Sequence, residues 1–161
     1  MMPKKANDAA GMRLAISKAQ QGVLRGQTPF GACIVRRGRV VAVSHNQVWK
    51  NTDITAHAEI CAIREACRVL KTIDLSGCTI YSTCEPCPMC FAACHWANIS
   101  RIVYGARIAD AKRFGFDELT VSNAAMKAMG GARLRLRKDF LRQACLGLFS
   151  LWADQPGHKA Y

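Results

Sequence analysis

Thr55-Ala56-His57-Ala58-Glu59 and Cys84-Glu85-Pro86-Cys87-Pro88-Met89-Cys90 are the two segments of this chain in which metal-binding side chains meet helix starts. Apolar residues Ile60, Ile63, Ala66, Cys67 and Leu70 recur at three and four, so a helix is predicted from Ala56 to Leu70. Pro88 fits the first turn of another helix running to about Ala97, where its missing N–H is no loss. Zinc prefers imidazole and thiolate donors, and three protein ligands leave a fourth position for water. His57, Cys87 and Cys90 supply that set. The two cysteines stand one helical turn apart, so both sulfurs can face one point while the positive helix end favours their thiolates. Glu59, two residues past His57, can reach a water on the metal without ligating it and move a proton to a substrate nitrogen.

Outward from these segments the pattern alternates. Residues 7–22 read as an amphipathic helix capped by Asn7 or Asp8. Ala32 to Arg36 and Arg39 to Ser44 read as strands joined by a tight Arg37-Gly38 turn, and 45–56 as a loop. Cys78 to Ser82 is a short buried strand, and Arg101 to Tyr104 another. Residues 106–130 carry no clear period. Beyond the Gly130-Gly131 break, Arg133 to Arg137 alternates as a strand, and Lys138 to about Trp152 is a last helix before a polar tail. This succession predicts an α/β protein with a mixed sheet covered by helices on both faces.

Composition narrows the class. A chain of 161 residues with 50% apolar and 21% charged residues has room for one domain with a core, over 1–161. No apolar run is long enough for a membrane span, and Asp8, Arg13, Lys18 and Arg25 break any signal-peptide core behind the basic start Met1 to Lys5, so the expected location is cytoplasmic. Nine cysteines, an odd number in apolar segments, read as buried thiols plus a metal site. The net charge of +12 favours polyanions, and Arg133, Arg135, Arg137, Lys138 and Arg142 are a candidate phosphate-facing stripe or the solvated side of a strand.

The H-x-E and P-C-x-x-C pair is the signature of zinc-dependent nucleobase deaminases. A purely structural site of Cys84, Cys87, Cys90 and His95, in a non-catalytic interaction module, would leave Glu59 and Pro86 unexplained. The chain is identified as resembling the cytidine deaminase superfamily over nearly its whole length, and most resembles its small guanine deaminase branch. The residues are Pro29-Phe30-Gly31, Asn46, the two zinc segments, Trp96-Ala97, Gly115-Phe116-Asp117, and the tail residues Phe149, Trp152 and Tyr161.

That resemblance implies a three-layer α/β/α fold with a central mixed five-stranded sheet and one Zn2+ per subunit. It implies a homodimer in which a segment of about 143–161 is exchanged, bringing Tyr161 to the partner's zinc. It also implies substrate-binding roles for Phe30, Asn46, Ala58, Trp96, Glu118 and Tyr161. Glu118 stands where the branch carries aspartate, which bears on specificity. The expected reaction is hydrolysis of guanine to xanthine and ammonia. Adenosine deamination in tRNA is the alternative that the +12 charge would suit, and another small amino-heterocycle or nucleoside is a third.

Overall fold

The strands alternate their side chains between two faces, and each face is apolar. Ala32, Ile34, Ile80, Ile102 and Tyr104 belong to one buried cluster; Cys33, Val35, Tyr81 and Val103, their immediate neighbours in sequence, belong to a second. A period of two with both faces buried requires helices on both sides of a sheet. The computed structural model, which describes residues 7–161, has that arrangement. The basic start Met1 to Lys5 lies outside the described residues.

The elements are α1 (Asp8–Val23), β1 (Gly31–Arg36), β2 (Arg39–His45), α2 (Val48–Asn51), α3 (Ala58–Leu70), β3 (Cys78–Cys84) and α4 (Pro88–Trp96), followed by β4 (Arg101–Ala106), α5 (Ile108–Arg113), α6 (Asn123–Gly130), β5 (Arg135–Arg137) and α7 (Arg142–Ala153). The sheet order is β2-β1-β3-β4-β5. β1 is antiparallel to β2 and β3, whereas β3, β4 and β5 run parallel. Ala58, Ala62 and Ala66 of α3 and Phe91 and Cys94 of α4 fill one core. Met12 and Ala15 of α1 and Cys145, Phe149 and Trp152 of α7 fill the other. The three-layer α/β/α fold and the five-stranded mixed sheet are as expected.

Local chemistry explains the boundaries. Asn7 accepts a hydrogen bond from the Ala10 N–H at 2.9 Å and starts α1. Arg37 (φ 51°) and Gly38 (φ 76°) are both left-handed, the backbone a two-residue hairpin demands. At Gly31 a Cβ would stand 2.1 Å from the Ala15 carbonyl, so this glycine lets α1 lie directly on β1.

Three segments differ from the sequence expectation. The 45–56 loop contains the single turn α2. The unpatterned stretch 106–130 holds α5 and α6, too short to show a full helical period. The last helix begins at Arg142 rather than Lys138, because Asp139 (φ 59°) and Leu141 (φ 49°) are left-handed and the Phe140 N–H is drawn to the Tyr104 carbonyl at 2.9 Å.

Candidate active site and metal centre

Two helix N-termini converge at the C-terminal end of β3. His57 is the N-cap of α3 and Cys87 the N-cap of α4, both extended in backbone and neither making a side-chain capping bond. An N-cap Ser or Asp would contribute about 1 kcal/mol to each helix; here the position carries a metal-binding side chain instead. Cys90 lies one turn into α4, fully buried. His57 Nδ1 is 3.6 Å from both Cys87 Sγ and Cys90 Sγ.

Ligand bonds of about 2.0–2.1 Å to nitrogen and 2.3 Å to sulfur in a tetrahedron separate N and S by about 3.5 Å, so the donor set fits zinc. Among the described residues, this trio is the group of His, Cys, Asp and Glu side chains found close enough to share an ion. The alternative set with Cys84 and His95 is not assembled: Cys84 Sγ points to the Arg107 carbonyl and His95 is exposed near the far end of α4.

Glu59 is 6% exposed, with the Ser82 hydroxyl 2.9 Å from its Oε1. Burial pushes its carboxyl up, and the negative charge of Cys87 adds to this. The Cys87 thiol is pulled down to about 4 by the Cys90 side chain and by His57 beside it. Burial opposes protonation of His57, but Cys87 and Glu59 outweigh it and leave the ring raised.

Phe30, Asn46, Glu118 and Tyr161 complete the walls of a chamber of about 20 Å³ around His57, Glu59 and Cys87. An outer recess of about 320 Å³, lined by Ile54, Met89 and Leu119, shares His57, Cys87, Glu118 and Tyr161 with it. Asn46 is fully buried; its Oδ1 accepts the Val48 N–H at 3.0 Å and its Nδ2 donates to the Tyr161 hydroxyl at 2.6 Å. Tyr161 reaches the chamber within its own chain, its carbonyl accepting the Asp117 N–H at 3.1 Å and its ring lying against Phe116 and His57. Glu118 is pushed up to about 7 by burial, with the charges of Cys87 and Glu59 adding.

Ala58 opens α3 with its side chain fully buried, so it can offer the site only backbone, where first-turn N–H groups lack helical partners. Trp96 is corrected. It ends α4, nine residues beyond Cys87 or about 13 Å of helix rise, and is 82% exposed outside the chamber.

Glu85 is a residue for which the sequence reading found no role. Its buried carboxylate accepts the N–H groups of Ile108 (3.2 Å) and Asn123 (2.9 Å), which open α5 and α6, and the Tyr104 hydroxyl at 3.3 Å. Asn123 in turn donates to the Pro86 carbonyl at 2.6 Å. Its three partners are 19 to 38 residues away, so no local spacing could reveal it.

Comparison with known proteins agrees with this geometry. The family described as cytidine and deoxycytidylate deaminase zinc-binding region matches residues 5–106. The guanine deaminase of Bacillus subtilis is 43% identical over 156 residues, 96% of this chain and 99% of that protein. A tRNA-specific adenosine deaminase of Buchnera aphidicola is 33% identical over 147 residues, 91% of this chain and 94% of its own. The structure of NE0047 in complex with 2,6-diaminopurine superposes with a TM-score of 0.85 at 29% identity, covering 96% of this chain and 86% of that one. On the match of sequence, donor set and fold together, the chain belongs to the cytidine and deoxycytidylate deaminase family.

Proposed function

We propose that the protein hydrolyses the exocyclic amine of a purine base, guanine to xanthine and ammonia in the first instance. The observation that carries this reading is the buried Glu59 carboxylate, fixed by Ser82 beside a His-Cys-Cys donor set in a chamber that ends on the Asn46 amide. The likeness to guanine deaminase over nearly the full chain and to a diaminopurine complex supports the choice of base.

His57, Cys87 and Cys90 would hold one zinc ion per subunit, which supplies a Lewis acid that lowers the pKa of water from about 16 toward 7. Glu59 accepts a proton from the attacking water and delivers it to a ring nitrogen while the water oxygen bonds to the amine-bearing carbon. It then moves the second proton from that oxygen to the departing amine, so one water is consumed and one ammonia leaves. Asn46, with both an amide donor and an acceptor, reads the base edge; Phe30 packs its face; Glu118 accepts from a ring amine; the Ala58 backbone orients it.

The inner chamber holds little more than a water, whereas sites for small molecules run to roughly 300 Å³ and above. A base reaching Asn46 therefore takes the place of the Tyr161 hydroxyl, and the tail re-forms over it. We include in this reading a cytoplasmic homodimer acting in purine metabolism, in which the segment of about 143–161 is exchanged so that each subunit's tail covers the other's chamber. Among the described residues no helix is long and apolar enough to cross a membrane.

The test is ammonia release from zinc-loaded protein and its Glu59→Gln variant over guanine, guanosine, adenine, cytosine, ammeline and an anticodon stem-loop RNA. Release from guanine, abolished in the variant, is the expected result. Release from the RNA alone would transfer the protein to the second reading, adenosine deamination in tRNA, which the +12 charge and the Buchnera relative favour.

A further inference from the structure

Trp49 is a large aromatic residue that the chemistry of the chamber leaves unused. It is absent from the described residues that build the two apolar clusters, the chamber and the outer recess. It stands partly exposed on α2, the single turn that follows Asn46. A helix of four residues does not hold itself together, so its shape is set from outside. The Gln47 N–H donates to the Ala56 carbonyl at 2.9 Å, the Val48 N–H to Asn46 Oδ1 at 3.0 Å and the Lys50 N–H to Gln27 Oε1 at 3.2 Å. With Val48 also buried, the turn is a fixed platform that carries the Trp49 indole.

That indole meets the tail of the chain. Its Nε1–H donates to the Lys159 carbonyl at 3.2 Å, and the Lys159 ammonium sits 3.9 Å from the ring centroid. One ring therefore grips both the backbone and the side chain of one residue. Tyr161, two residues on, stands edge-on to the same ring with 6.1 Å between centroids. Tyr161 is also held by the Asp117 N–H on its carbonyl and by the Asn46 amide on its hydroxyl. The contact with Asn46 is the one that an entering base must break. Fixed at Lys159, Tyr161 can swing aside only as far as two residues of chain reach, about 7 Å.

We propose that Trp49 is a positioning residue for the reaction: it anchors the tail at Lys159, so that Tyr161 moves aside for the base and returns over it without the tail leaving the site. The inference rests on the proposed function, which gives Tyr161 the task of enclosing a base. Trp49 acts through the tail and not on the substrate, and it does so alike for a tail of its own chain or one exchanged between subunits.

The test compares the zinc-loaded parent chain with Trp49→Ala, Trp49→Phe and Lys159→Met. Release of Tyr161 by carboxypeptidase A, followed by mass spectrometry, reads escape of the tail whatever the reaction is. KM and kcat for guanine read enclosure of the base. Loss of one hydrogen bond and one cation–π contact should make release about tenfold faster in Trp49→Ala and raise KM by about the same factor, with kcat and zinc content little changed. Trp49→Phe, which keeps a ring under Lys159 but no N–H donor, should fall between the two. Lys159→Met leaves α2 untouched and should speed release about threefold. In a chain ending at His158, Trp49→Ala should leave KM where the truncation has put it, an outcome that a merely structural role does not give. Release at the parent rate in both Trp49→Ala and Lys159→Met would overturn the proposal, as would an equal rise in KM with and without the last three residues. A parent chain inactive on guanine would overturn the proposed function alone, and release of Tyr161 would then decide the anchor.

Discussion

Two regions meet in the chamber, and they are built differently. His57, Glu59, Cys87 and Cys90 ride on the first turns of α3 and α4, helices pinned to the sheet by fully buried Ala58, Ala62 and Cys94. Glu118 and Tyr161 come instead from a segment between α5 and α6 without regular structure and from the tail beyond α7. The family match ends at residue 106, so it covers the first region and stops before the second. Groups that must hold a metal and a proton within tenths of an ångström sit on packed helix starts. On the proposed function, the groups that would select and enclose a base sit on segments able to change without disturbing them.

The largest effect expected from this contrast is at Glu59. Glu59→Gln should lower kcat by about 10²–10⁴-fold with zinc content unchanged by metal analysis, since it removes the proton carrier and spares the ligands; a variant keeping a tenth of the rate would break the division of labour. Next comes Glu85, which ties the regions together. Glu85→Ala leaves the Ile108 and Asn123 N–H groups and the Tyr104 hydroxyl without their acceptor, and urea unfolding should show a loss of about 2–4 kcal/mol. Unchanged stability would show that the C-terminal region is not anchored through this carboxylate.

Tyr161→Ala should raise KM for guanine about tenfold, a cost of about 1.4 kcal/mol, and alter kcat and zinc content little. A selective fall in kcat would move Tyr161 into the first region. The smallest effect is expected at Asp8, which lies outside both and bridges α1 to Arg101 at the start of β4 and Arg137 at the end of β5. The Arg101 guanidinium, with Tyr81 and Arg137, holds the Asp8 carboxyl below its ordinary 3.8 against the opposing effect of burial. The native state therefore binds fewer protons than the unfolded chain near that pH. The stabilisation is present above 3.8 and is lost as pH falls through the lower native value. Asp8→Asn should cost about 1 kcal/mol at pH 7 and flatten the acid limb of the stability curve, with activity at neutral pH unaltered.

The sequence is informative where interactions are local. The i, i+3 and i, i+4 pattern of α3, the Arg37-Gly38 turn and the C-x-x-C spacing all report neighbours within a few residues, and the structure has each of them. Glu85, the late start of α7 at Arg142 and the two short helices after residue 106 depend on partners far along the chain, such as Asp139 with Arg107 at 2.8 Å, and left no periodic trace. Trp96 entered the site through the family resemblance alone, and its place as the last residue of α4 sets it about 13 Å of helix rise beyond Cys87.

The missing capping bonds at His57 and Cys87 bear on maintenance of the molecule. Neither ligand belongs to the two apolar clusters on the sheet faces. Stripping the metal is therefore expected to free the ligand side chains at the helix starts while Ala58 and Phe91 keep both helices on the layered scaffold, and local openings of that kind close without global refolding. On that reading, a molecule that had lost its ion would be repairable by resupply, with no need for resynthesis or a chaperone.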